Sequence, residues 1–215
     1  MLDEIRSERS LRIVFRLSRV TAYDDQFFPE MGLDDEKSRK EMSALLIGRL
    51  PSNPIEELID EPFRPKKKLR NGTRFSDGSF PVFYSSLEAE TAEAEVAYWF
   101  RKVFAGTSAR KRTAYYQGFH CTFEGLEKDL RRKTMDWPEL VHEKDYSFCN
   151  LLGAEAREKG IDGLIVPSAR HEGSNVPIFA RHAINGPELD GIVEITYSPQ
   201  KDQISLVHPP DNNSR

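Results

Sequence analysis

The sequence predicts an α+β domain built on a mixed or antiparallel sheet. Period-two alternation recurs along the chain, one run of strong helix formers lies mid-sequence, and short apolar segments separated by turn residues fill the C-terminal third. A chain of 215 residues can bury a core without metal or disulfide support and is short for two full domains. The expected organisation is one domain over 1–208, with an insertion at about 23–65 and a disordered tail at 209–215.

At the front, Leu11, Ile13, Phe15 and Leu17 alternate with Arg12, Val14, Arg16 and Ser18. That pattern marks a half-buried strand with Arg16 on the face opposite the main apolar set. Tyr23 to Pro65 is acidic early, contains Pro51, Pro54 and Pro62, and includes a helical piece near Glu41–Ile47; it reads as an insertion or lid. From Arg64 to Arg74 the charge reverses, and Lys66, Lys67 and Lys68 read as a solvated loop. Gly72 and Asp77-Gly78 are turn signals flanking Arg74-Phe75, and Pro81 to Tyr84 reads as a short strand.

Leu87 to Phe100 is rich in helix formers, with Ala92, Val96, Trp99 and Val103 on one stripe. Glu95 lies about 60° from the centre of that stripe, at the apolar boundary, where a carboxylate is partly desolvated. Tyr116 to Phe123 alternates again, with Gln117, Phe119, Cys121 and Phe123 on one side. Asp145 reads as the N-cap of a helix running to about Lys159 and ended by Gly160, with Ser147 in its first turn. Ile161–Val166, Val176–Ala180, Ile192–Tyr197 and Ile204–Val207 read as further strands.

The 31 basic and 35 acidic residues leave a net charge of −4, which gives no whole-protein attraction to nucleic acid or anionic membrane. No apolar stretch approaches the ~18–20 residues of a membrane span, and Met1 to Arg6 lacks the apolar core of a signal peptide. Cys121 and Cys149 form no CxxC pair and read as buried free thiols. These features describe a cytoplasmic protein without nucleic-acid or membrane partners, and a homodimer is compatible with them.

Phosphate-loop, dinucleotide-fingerprint and nucleophile-elbow motifs are absent from the sequence. His171-Glu172 does not extend to a zinc-binding helix motif because position 175 is Asn, and no histidine–cysteine spacing suits zinc, so neither metal nor resident cofactor is expected. What stands out is a set of polar residues at the ends of apolar elements: Arg16, Arg74, Tyr84, Glu95 and Ser147. Guanidinium groups can grip a pyrophosphate bidentately. A helix start offers N–H groups to phosphate or ribose oxygens. A carboxylate can stabilise a cationic sugar in glycosyl transfer. Taken singly, each residue also has a structural reading: an ion-paired strand Arg, a core Tyr, a Ser that helps cap a helix.

Asn71-Gly72-Thr73-Arg74-Phe75, Pro81 to Ser86 and Glu90 to Val96 together resemble the RES domain family, whose members show a G-x-R-[WF] segment followed by "vlYla-s-eTAlaEv". Val14-Phe15-Arg16-Leu17 is similar to its "vyR" strand, and Asp145 to Gly153 to its Ser-containing segment. Gly163 to Ala169, with Asn175 and Phe179, is similar to its "GllvPSa…N…iF" pattern. The resemblance implies a fold like that of ADP-ribosyltransferases. It also implies an NAD⁺-degrading enzyme that splits the nicotinamide–ribose bond by hydrolysis or phosphorolysis, commonly as the toxin of a bacterial pair whose antitoxin is of helix-turn-helix type. Carried over by position, Arg16 and Arg74 contact NAD⁺ phosphates or the incoming phosphate, and Tyr84 meets the nicotinamide ribose. Glu95 orients that ribose and stabilises the oxocarbenium-like state, and Ser147 binds the pyrophosphate or nicotinamide side. Phe75-Ser76 stands where many members have Trp-Asn, and Asn150 where Gln is common. Transfer of ADP-ribose to a protein acceptor is the alternative activity, and an inactive binding module the third reading.

Overall fold

The computed structural model describes residues 1–20, 55–64, 72–106 and 111–209. The helical piece near Glu41–Ile47, the lysine loop at 66–68 and nearly all of the tail lie outside the described residues. The strands are β1 (Ser7–Arg19), β2 (Phe83–Ser86), β3 (Arg112–Asp129), β4 (Gly163–Pro167), β5 (Ser174–Ile178), β6 (Ile184–Ser198) and β7 (Gln203–Val207). The helices are α1 (Ile55–Asp60), α2 (Ala89–Phe104) and α3 (Ser147–Glu158). The sheet order is β1-β2-β5-β4-β3-β6-β7. β1–β2, β2–β5, β4–β5 and β6–β7 pair antiparallel, and β3–β4 is parallel. The expected α+β class with a mixed, mostly antiparallel core is therefore what the chain adopts. β1 also pairs with β3, closing β1-β2-β5-β4-β3 into a ring. A closed ring leaves none of these five strands with an open edge. No helix among the described residues is long and apolar enough to cross a membrane.

The described residues within Met1–Arg16, Pro54–Glu95 and His120–Glu188 form one compact unit, and those within Leu17–Asn53, Val96–Phe119 and Leu189–Arg215 a second. In the first, Cys149, Leu152 and Ala156 of α3 pack with Phe75, Leu130, Leu164 and Val166, all fully or almost fully buried. In the second, Phe100 packs with Ala114, Tyr116, Val193, Ile195 and Tyr197. Arg101 and the Tyr197 hydroxyl both bond Asp202 in that unit. Both cysteines are free and buried, as expected.

Two amphipathic readings are corrected. On β1 the apolar row Leu11 and Ile13 is 68% and 47% exposed, whereas Val14 is fully buried. The row of Arg12, Val14 and Arg16 faces inward because its arginines have interior partners. Arg12 brackets Glu127, its Nε lying 2.9 Å from both carboxylate oxygens. On α2, Trp99 and Val103 are 43% and 64% exposed, while Thr91, Ala92, Ala97 and Phe100 are buried. The buried stripe is thus rotated from the expected one. α1 was not foreseen, and β3 runs well beyond the expected Tyr116–Phe123.

Glu127 is fully buried and Arg12 three-quarters so, which makes their pair a test of ring closure. Removing one partner of a buried ion pair costs about 3–5 kcal/mol. Arg12→Ala is expected to lower unfolding stability in urea by about 3 kcal/mol, the low end, because water reaches Arg12. Adding Glu127→Gln should recover part of that loss by removing the stranded charge.

Candidate functional site

β2 lies between β1 and β5, and its register brings Ser86 opposite both Phe15 and Asn175. Asn175 faces Val166 on its other side. The Ser86 hydroxyl donates to Asn175 Oδ1 at 2.9 Å, which turns the amide so that Nδ2 donates to Glu95 Oε1 at 2.6 Å. Ser168, just past β4, donates its hydroxyl to the same Oε1 at 2.7 Å. The Ser168 oxygen in turn accepts the N–H groups of Arg170 at 3.0 Å and His171 at 3.3 Å, so the β4–β5 loop is wound around it. Glu95 Oε2 takes no hydrogen bond from the described residues, leaving one carboxylate oxygen held and the other available.

Arg16 adjoins this chain through the sheet. Its Nη1 donates to the Tyr84 carbonyl, and its guanidinium lies 4.7 Å from the centre of the Phe83 ring. Its Nε is buried without a hydrogen-bond partner among the described residues. Burial pushes the guanidinium pKa down, and the charge of Glu61 opposes that shift. An unsatisfied buried N–H on a cation is a place for an anionic oxygen.

A second group forms around Arg74, in the turn closed by the Thr73 N–H on Ser76 O at 2.6 Å. The Tyr84 hydroxyl donates to Thr73 Oγ1 at 2.6 Å and accepts the Phe75 N–H at 2.9 Å. Asn150 of α3 donates to the carbonyls of Thr73 and Arg74 at 2.7 and 2.8 Å. Gly153 lies against the same turn; a Cβ there would stand 2.0 Å from Phe75 O. So supported, Arg74 donates Nη1 to Leu140 O and His142 O at 3.1 and 2.9 Å and lies 4.5 Å over the Tyr146 ring. Ser147 opens α3 as expected, but it is exposed and its N–H goes to Asp145 Oδ1 at 2.9 Å. The Ser147 hydroxyl and N–H together hold the Asp145 carboxyl below its usual range.

The structure therefore brings Glu95 into a polar cluster with Ser168 and Asn175, and separately joins Arg16 to the Arg74 turn through the carbonyl and hydroxyl of Tyr84. Ser147 makes no hydrogen bond to Glu95 or Arg16. Its segment meets Arg74 through Tyr146, and Arg170 Nη2 reaches Glu143 O at 3.3 Å. Ser86 and Ser168 join the site through contacts that only the fold creates. Their signal was their presence, with Asn175, in the family-like segments.

A RES domain family model matches residues 48–198. Comparison with curated proteins finds no match. Among solved structures, the M. tuberculosis MbcT–MbcA toxin–antitoxin complex contains a chain similar to this one at 13% identity and a TM-score of 0.48, over 94% of this chain and 92% of that one.

Burial raises the Tyr84 hydroxyl pKa from 10.0 to about 12, against the lowering effect of Thr73. The folded state thus holds this proton more tightly than the unfolded chain. Its stabilising contribution is complete below pH 10 and is lost as pH rises from 10 toward 12. Tyr84→Phe is expected to cost about 1–3 kcal/mol at neutral pH, by stranding the Phe75 N–H. The variant should also lose less stability than the parent between pH 9 and 11.5 in urea titrations, since one alkaline group has been removed.

Proposed function

The chain belongs to the RES domain family, and from that membership and the Glu95 cluster we propose that it cleaves NAD⁺ at the nicotinamide–ribose bond. The observation that carries this reading is the division of labour within one carboxylate. Oε1 of Glu95 is held by Ser168 and Asn175, and Oε2 is left to accept a ribose hydroxyl. A carboxylate so fixed faces the sugar with a localised negative charge as positive charge develops on the anomeric carbon, without having to reorganise. Nicotinamide leaves as a neutral molecule, so its departure requires no general acid. Arg16 supplies a buried guanidinium N–H for a phosphate oxygen. Arg74, stacked on Tyr146 at the start of α3, supports the other end of the dinucleotide or an incoming inorganic phosphate. The acceptor that completes the reaction is water or phosphate, giving ADP-ribose or its 1-phosphate. As part of the same proposal the protein acts as the toxin of a toxin–antitoxin pair, restrained by an antitoxin of helix-turn-helix type.

The test is incubation of the purified protein with NAD⁺, with and without inorganic phosphate, and identification of the products by chromatography. Nicotinamide release is expected. Its absence under both conditions, from folded protein, overturns the proposal. Glu95→Gln should lower turnover by about 10²-fold or more while leaving the thermal midpoint within a few degrees.

A further inference from the structure

One buried hydroxyl next to Glu95 has more claims on it than it can meet as a donor. Thr91 is fully buried on α2, four residues before Glu95. Residues at that spacing lie on one helix face, about 6 Å apart. Thr91 Oγ1 is 2.8 Å from Glu88 Oε2 and 2.9 Å from His171 Nδ1. Glu88 Oε2 also accepts the Ser174 N–H at 2.8 Å. The loop passes so close that a Cβ on Gly173 would lie 2.0 Å from Thr91 Oγ1 and 2.2 Å from Glu88 Oε2. As a carboxylate, Glu88 can only accept, so the single Thr91 proton goes to it and Nδ1 of His171 must bring its own. The Gly173 N–H is 3.4 Å from Nδ1, too long to set the tautomer against the two shorter contacts. With Nδ1 protonated, the neutral imidazole carries its lone pair on Nε2. His171 is exposed, and Nε2 makes no hydrogen bond within the described residues. The same loop holds Ser168 on Glu95, so α2 meets it twice, one turn apart: Glu95 on Ser168 and Thr91 on His171.

We propose that His171 is the base that deprotonates water as it attacks the anomeric carbon, with Glu88 and Thr91 as positioning residues that fix its tautomer. This rests on the NAD⁺-cleavage reading and commits it to hydrolysis. The C–N bond breaks with its electron pair leaving on nicotinamide. The water oxygen bonds to the sugar carbon, and one water proton passes to Nε2 and then to solvent. The sum is NAD⁺ plus water giving ADP-ribose, nicotinamide and a proton. Among the described residues the charged group linked to the imidazole is Glu88 of α2, through Thr91, while Arg170 and Glu172 flank His171 in sequence, with Arg170 directed to Glu143.

The experiment measures ADP-ribose formation from NAD⁺ in phosphate-free buffer by the full chain, His171→Asn, Thr91→Val and Thr91→Ser. General-base loss predicts a kcat lowered about 10²-fold in His171→Asn with KM within about threefold. Thr91→Val should fall in the same direction and Thr91→Ser, which keeps the hydroxyl, should recover. Full kcat in His171→Asn, or a fall confined to KM, overturns the proposal. Nicotinamide release by the parent only when phosphate is present overturns His171 as a base and leaves NAD⁺ cleavage standing. No release under any condition overturns both.

Discussion

Oε1 of Glu95 receives the Ser168 hydroxyl at 2.7 Å and the Asn175 amide at 2.6 Å, and these donors come from the two strands joined by one loop. For both to arrive, β4 and β5 must be in register, β2 must present Ser86 to orient the Asn175 amide, and α2 must turn Glu95 toward the loop. Three neighbouring strands and a helix are thus correlated through a single oxygen. Two hydrogen bonds to a carboxylate contribute about 1.5–3 kcal/mol each, so rotation of the Glu95 side chain is strongly opposed. The face of α2 that serves this contact is polar, with Thr91 buried on the same side.

The turn around Arg74 obeys a different constraint. Asn150 and Gly153 approach it from α3 and Tyr84 from β2; the tyrosine hydroxyl is taken up by Thr73 Oγ1 and the Phe75 N–H, and the asparagine amide by two backbone carbonyls. The glycine is required because α3 runs against Phe75 O with no room for a methyl group. Tyr84 and Asn150 therefore act on Arg74 by shaping its backbone, and Arg74 spends its Nη1 on two carbonyls of the following segment. On this geometry Tyr84 and Asn150 are supports of the turn that carries Arg74.

Much of this was legible in the sequence, and the exceptions share a cause. The α+β class, β2, α2, α3 with its Asp145 contact, and β4 to β7 follow from local periodicity and turn chemistry, which act over a few residues. The inward face of β1 does not, because both of its rows contain apolar side chains and the deciding partner, Glu127, is 115 positions from Arg12. The far end of β3 is not legible locally because it buries Glu127 and Lys128, charges that only distant partners make tolerable. Glu95 was found from its place at the edge of a helix face. Its donors were not, since Ser168 and Asn175 lie 73 and 80 positions away and resemble ordinary loop and strand residues until the fold closes.

Arg16 shows why the two constraints belong to one site. Burying a guanidinium is costly, and the usual remedy is a carboxylate in contact. Arg12, four residues earlier on the same strand face, has that remedy in Glu127. Among the described residues Arg16 has the Tyr84 carbonyl, the Phe83 ring and the more distant charge of Glu61, and its Nε is left without an acceptor. Among the described residues the fold satisfies one inward arginine more fully than the next, and the phosphate oxygen proposed for Arg16 would offset a desolvation cost the fold already carries. The same Tyr84 accepts Arg16 on its carbonyl and supports the Arg74 turn with its hydroxyl, so one residue of β2 ties both arginines into the same set of contacts.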